Sequence, residues 1–210
     1  FHNLVAAGRT EEATGLLPKA RDAVPHSRQP VGWFTLELAR SALQYQMSDF
    51  NGGLEILTTA QRHGLPGRDD ARERMADNYR AGFLVALDRF DEAFHVVDIG
   101  VAAAQRDRQN WALRMFETWK GRQLLQSGRL AEASVALDGR FSLEDADRIV
   151  GREASCVLAL GKLKLHGGDD AGAREIAEIA KLMLRVSAPS VQRHGAWYLA
   201  LQAMSQGKAD

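Results

Sequence analysis

The chain carries one cysteine, Cys156, among 210 residues. No internal disulfide can form, and a thiolate metal site, which needs several cysteines, is excluded. This cysteine usage fits a reducing, cytoplasmic compartment. Net charge is lacking too, since 27 Lys and Arg balance 27 Asp and Glu. Nucleic-acid and membrane-surface proteins usually carry a basic excess, so direct binding to either is not expected. No uninterrupted apolar run is long enough to cross a bilayer, and the first residues lack a signal peptide's charged-then-apolar layout. The chain opens on Phe1 rather than Met, so it reads as processed or as an excerpt.

Catalytic and metal-binding patterns are also missing. Gly161–Lys162 has neither the upstream glycine nor the Ser or Thr of a phosphate-binding loop. No HExxH, CxxC or GxSxG occurs. His2, His26, His63, His95, His166 and His194 are scattered without ligand spacing. Asp69–Asp70 and Asp169–Asp170 precede helical patterns, where capping accounts for them. Cys156, on VGREASCVLALGKLKL, reads as a small buried hydrophobe. Arg106, Arg108, Arg114, Lys120 and Arg122 read as a solvated helix face. The segment is therefore expected to be no enzyme and to hold no cofactor or metal.

What the chain has is a repeat. AGRTEEA stands at Ala7–Ala13, LDRFDEA at Leu87–Ala93 and SGRLAEA at Ser127–Ala133, with looser copies at Met47–Gly53 and Gly167–Ala173. Their turn residues are Gly8, Ser48, Asp88, Gly128 and Gly168, each 40 after the last, and Gly207 falls one residue short of the next step. A small residue five places on keeps the same phase: Ala13, Gly53, Ala93, Ala133 and Ala173. A fixed period of roughly 20–50 residues marks a repeat architecture.

Each unit holds two helical patterns. Before the turn runs a stretch such as WALRMFETWKGRQLLQ, with Phe116, Gly121, Leu124 and Leu125 at helical spacings. After it comes a second pattern, such as LAEASVALDG, with Leu130, Ala133 and Leu137 on one face. Acidic residues crowd its first turn, as the helix macrodipole favours. Strand signals are nearly absent. Pro25, Pro30, Pro66 and Pro189 fall between units. The turn residue ends the first helix, where glycine is cheapest, and the small residue five places later lets two helices approach. A larger side chain there would overpack the contact by about 1–3 kcal/mol. In the second copy the core positions would hold Glu37, Arg40, Ser41 and Gln44, all polar. Leu36, Ala39 and Leu43 make a better core one residue out of register, which predicts an extra residue near Met47.

These units resemble the tetratricopeptide repeat. The resemblance rests on a small residue seven before the turn (Ala81, Gly121, Gly161), a hydrophobic residue four before it (Leu4, Leu84, Leu124) and the small residue after it. The usual repeat is about 34 residues long. The longer period and the GR-L-x-EA turns resemble the helical arm of large LuxR-type and maltose-operon-activator-type regulators. There, an ATPase domain precedes the arm and a helix-turn-helix follows it. The resemblance implies an all-α, right-handed solenoid of antiparallel helix pairs, about ten helices in one domain over residues 1–210. It implies a sensor or effector arm of a bacterial transcriptional regulator. A general protein–protein adaptor and a helical appendage of a signalling enzyme are the alternatives. HEAT-type repeats, of roughly 40–47 residues, are the structural runner-up.

Carried over by position, the groove residues of that family fall on Asn78, Thr118, Arg122, Gln126, Lys162, His166 and Trp197, with Tyr45 added from the second copy. Such a concave groove is expected to hold a peptide, a protein or a small inducer ligand. Trp33, Trp111 and Trp119 fall off these positions and read as packing residues.

Overall fold

A computed structural model describes residues 1–25, 29–63, 70–149, 151–185 and 189–207. His26, Pro66 and Asp69 lie outside the described residues, as does the side chain of Asp70. The helical patterns all form helices. These are α1 (His2–Ala6), α2 (Thr10–Ala23), α3 (Pro30–Gln46), α4 (Phe50–His63), α5 (Asp70–Ala86) and α6 (Phe90–Arg106). They continue as α7 (Asn110–Gln126), α8 (Leu130–Leu137), α9 (Gly151–His166), α10 (Asp170–Met183) and α11 (Pro189–Ser205). One 3-10 helix, η1 (Leu143–Arg148), lies between α8 and α9. Among the described residues there is no strand, so the fold is all-α. None of these helices is long and apolar enough to cross a membrane.

Two compact units, 1–116 and 117–210, divide the chain within α7. In the first, α1 packs on α2 and α3, α3 on α4 and α5, and α5 on α4 and α6. In the second, α9 packs on α8, α10 and α11, and α10 also packs on α11 and η1. Within each unit these helices meet their sequence neighbours, the packing logic of a helical repeat. The first unit's core gathers Phe34, Leu38, Leu57, Ala60, Ala76 and Phe83. The second's includes Val157, Ile176, Ile179, Met183 and Tyr198.

The turns explain the period. Gly8, Ser48, Asp88, Gly128, Gly168 and Gly207 all take positive φ, between 57° and 77°. The residue after five of them closes the first helix by donating its N–H five residues back. Arg9 donates to the Leu4 carbonyl, Asp49 to Gln44, Arg89 to Leu84, Arg129 to Leu124 and Asp169 to Lys164, at 2.8–2.9 Å. This is a Schellman closure, which needs a left-handed residue just past the helix end. Ser48 pays most for that conformation, because a serine side chain disfavours it and glycine does not. Ser48→Gly is therefore expected to raise the melting temperature by about 2–4 °C, corresponding to about 1 kcal/mol, in a circular dichroism melt. An unchanged or lower midpoint would show that the serine is unstrained.

The closing residue then starts the next helix, by one of two means. Where it is arginine, it clasps a glutamate three residues on: Arg9 with Glu12, Arg89 with Glu92, Arg129 with Glu132. Where it is aspartate, its carboxylate accepts the N–H of a glycine at the same place: Asp49 from Gly52 at 3.0 Å, Asp169 from Gly172 at 2.9 Å. Gly172 and Lys164 hold the Asp169 carboxyl below its ordinary value, the backbone N–H contributing most. Acidic residues in the first turn thus serve more than the macrodipole. They pair with the arginine that closes the preceding helix.

The structure corrects three expectations. The second unit is in register: α3 is regular to Gln46 and its turn falls on Ser48 with the same closure. No extra residue lies near Met47. Leu36, Ala39 and Leu43 are buried as expected, and so are Ser41 and Glu37, Ser41 donating to the Leu38 carbonyl and Glu37 pairing with Arg40. Second, α8 stops at Leu137, short of the expected LAEASVALDG. Twelve residues past the turn the other units carry Ala20, Ala60, Gly100 and Ala180, whereas the fourth carries Arg140. At Gly100 and Ala180 the following first helix sits close, against Phe116 and Gly195. An arginine does not fit such a contact. The chain leaves the helix through extended Asp138 and left-handed Gly139, and Arg140 reaches back to the Ala136 carbonyl and to Glu117. Third, Trp111 is 42% exposed and is not a packing residue. Pro18 lies inside α2, on its exposed side, where water can satisfy the carbonyl it leaves free.

Candidate functional site

Six residues before the four inner turns stand Ala42, Gly82, Arg122 and Lys162, with His2 and Leu201 at the outer two. The position changes from small to cationic in the second compact unit. α7 presents Arg122 and α9 presents Lys162, each half-buried. Arg122 leans from α7 onto α9, where its Nη1 donates to Ser155 Oγ at 3.1 Å. Its guanidinium lies 4.7 Å from the centre of the Trp119 ring. Lys162 leans the same way onto α11, with Nζ 5.9 Å from the centre of the Trp197 ring. Each cation rests on an indole, an arrangement worth about 0.5–1 kcal/mol at exposed sites and more where water is excluded.

Their charge is uncompensated. Arg9, Arg40, Arg74, Arg89, Arg129, Arg140, Lys164 and Lys181 all pair with carboxylates. Among the described residues neither Arg122 nor Lys162 does. Beneath Arg122, the Trp119 indole N–H is buried with no acceptor. Buried polar groups are usually satisfied, so this donor stands out. Gln126 and His166 are exposed, each four residues beyond one of the two cations along its helix.

The other sequence-selected residues lie elsewhere. Asn78 is 2% exposed and Thr118 8%. Both are closed to a ligand. Ten residues before the turn, Leu38 is buried in the same way. Trp197 occupies that position on α11, where it is 61% exposed. Tyr45 belongs to the first unit and packs edge-on against Phe83 and beside Phe50.

Cys156, 1% exposed, has its Sγ 3.7 Å from the Thr118 carbonyl oxygen. Burial pushes its thiol up from 9.0 to about 11, against the opposing pull of Arg122. It is therefore protonated at neutral pH and is no nucleophile. Among the described residues no cluster of three His, Cys, Asp or Glu could hold a metal ion.

Sequence reasoning overlooked one pattern. ELAR (Glu37–Arg40), DNYR (Asp77–Arg80) and ETWK (Glu117–Lys120) recur at 40-residue spacing, an acid and a base three apart. The bases extend the turn clasps, since Arg80 lowers the Glu92 carboxyl and Lys120 that of Glu132, behind the main effects of Arg89 and Arg129. Two of the acids are held from beyond the turn, Asp77 by Gln61 of α4 at 3.0 Å and Glu117 by Arg140, just past α8, at 2.7 Å. Comparing the units position by position would have found this ladder. No protein-family model matches the chain, and no curated protein or solved structure does.

Proposed function

We propose that the chain is a helical-repeat binding module, an α-solenoid that takes an anionic peptide segment across Arg122 and Lys162. The observation that carries this reading is the pair of half-buried cations at one repeat position, each set on an indole and unpaired with a carboxylate among the described residues. An arginine fixed by a stack and one hydrogen bond keeps further N–H donors for a carboxylate, and little entropy is lost on binding. The repeat texture supports a sensor or effector arm of a large LuxR-type regulator as its setting. There, occupancy of this face would shift the population between two states of the arm, as differential affinity requires.

The test is a titration with tetraglutamate, read by the fluorescence of Trp119 and Trp197. A saturable change is expected, weakened about tenfold or more by Arg122→Ala and by Lys162→Ala, as loss of a charged hydrogen bond of about 1.5–3 kcal/mol implies. No saturable change, or binding indifferent to both substitutions, overturns the proposal.

A further inference from the structure

α7, α9 and α11 are the first helices that contribute to the second compact unit. Their position six before the turn changes character in that order, from Arg122 to Lys162 to Leu201. All three residues are half-buried. The order in sequence is also the order in space. Arg122 reaches α9 through Ser155, and Lys162 reaches α11 through Trp197. Charge then stops, since α11 holds no charged residue from Gly195 to Ser205. The two indoles change in the same direction. Trp119, against the Arg122 guanidinium, is half-buried, whereas Trp197 is 61% exposed. Trp197 stands four residues before Leu201, so the two side chains share one helix face.

A segment that is only acidic would satisfy the two cations and leave Trp197 in water. Tryptophan is among the side chains that most often carry binding energy once a partner covers them. An aromatic ring set on an indole gains from its geometry as well as from the area it buries. Two cations on a chain of zero net charge make a poor track for a phosphate backbone. We infer that the segment taken across Arg122 and Lys162 carries an aromatic side chain beside its acidic residues, and that this side chain stacks on Trp197 against Leu201. This rests on the reading of the two cations as the seat of an anionic peptide. It adds an order to that peptide, with carboxylates over α7 and α9 and the aromatic ring over α11.

The experiment is isothermal titration calorimetry with blocked peptides, tetraglutamate extended at one end or the other by Phe or by Ala. In at least one of the two orders the Phe peptide is expected to bind about tenfold tighter than its Ala counterpart. Trp197→Ala, an exposed position, is expected to cancel that gain, so that the Phe and Ala peptides bind alike. Arg122→Ala is expected to weaken both and preserve their ratio. Equal affinities for the Phe and Ala peptides in both orders, or a gain that survives Trp197→Ala, overturn the inference while the anionic reading stands. Tighter binding of an oligothymidylate than of any of these peptides overturns it in favour of a nucleic acid. If no peptide binds, the anionic reading falls and the inference falls with it.

Discussion

Phe83→Ala is expected to lower the unfolding midpoint of the first compact unit by about 6–20 °C, corresponding to about 3–5 kcal/mol. Phe83 is 1% exposed and stands on α5, five residues before its turn. Its ring occupies the space that a side chain at Gly53 of α4 would need, so the glycine and the phenylalanine form one contact. Across from it lies the Tyr45 ring of α3, edge-on with centroids 5.4 Å apart. Three helices therefore meet on this ring, together with Leu57, Ala60 and Ala76. Alanine leaves a cavity that none of them can fill, because Gly53 has no side chain and the others are pinned by their own turns. Calorimetry is the appropriate measurement, since it separates the transitions of the two units if they unfold apart. A shift under about 3 °C would mean that the site collapses around the cavity, and the close α4–α5 approach would need another account.

Much of this was legible from the repeat phase alone. The phase located six left-handed turns and the small buried residues after five of them, because both depend on backbone geometry that few residue types permit; it missed the left-handed Arg108 and Gly139. Ser48 and Asp88 kept the phase without being glycine, and the structure gives them the same closure. Polarity misled at α3. Ser41 and Glu37 were judged poor core residues, yet Ser41 returns its hydroxyl to its own helix and Glu37 is neutralised by Arg40. A buried polar group is tolerated when its partner lies one turn away, and a hydrophobicity pattern does not register partners. The site was half legible for a similar reason. Arg122 and Lys162 follow from position, but position alone does not reveal that Asn78 and Thr118 are buried.

The second large effect tests burial at another repeat position, seven residues before the turn, by making one substitution at two equivalent places. Gly161→Leu is expected to cost about 3 kcal/mol, a loss of about 6–12 °C in the midpoint of the second unit. A Cβ at Gly161 already overlaps the Tyr198 ring, which is 1% exposed. That ring cannot swing aside without giving up the hydrogen bond that its hydroxyl donates to the Ala173 carbonyl at 2.9 Å. Burial also pushes the Tyr198 phenol up to about 12, so it remains a donor throughout the neutral range. Ala200→Leu, at the same repeat position on α11, is expected to change stability by less than about 0.5 kcal/mol, since nothing described in the structure lies over it. A helix interior gains from replacing glycine, by about 0.5–1 kcal/mol, so propensity alone would favour the change at Gly161 and predict the opposite sign. Paired thermal melts decide between packing and propensity. Equal shifts for the two variants would mean that repeat position does not determine burial in this chain, and the reading of α11 as an uncovered first helix would fall with it.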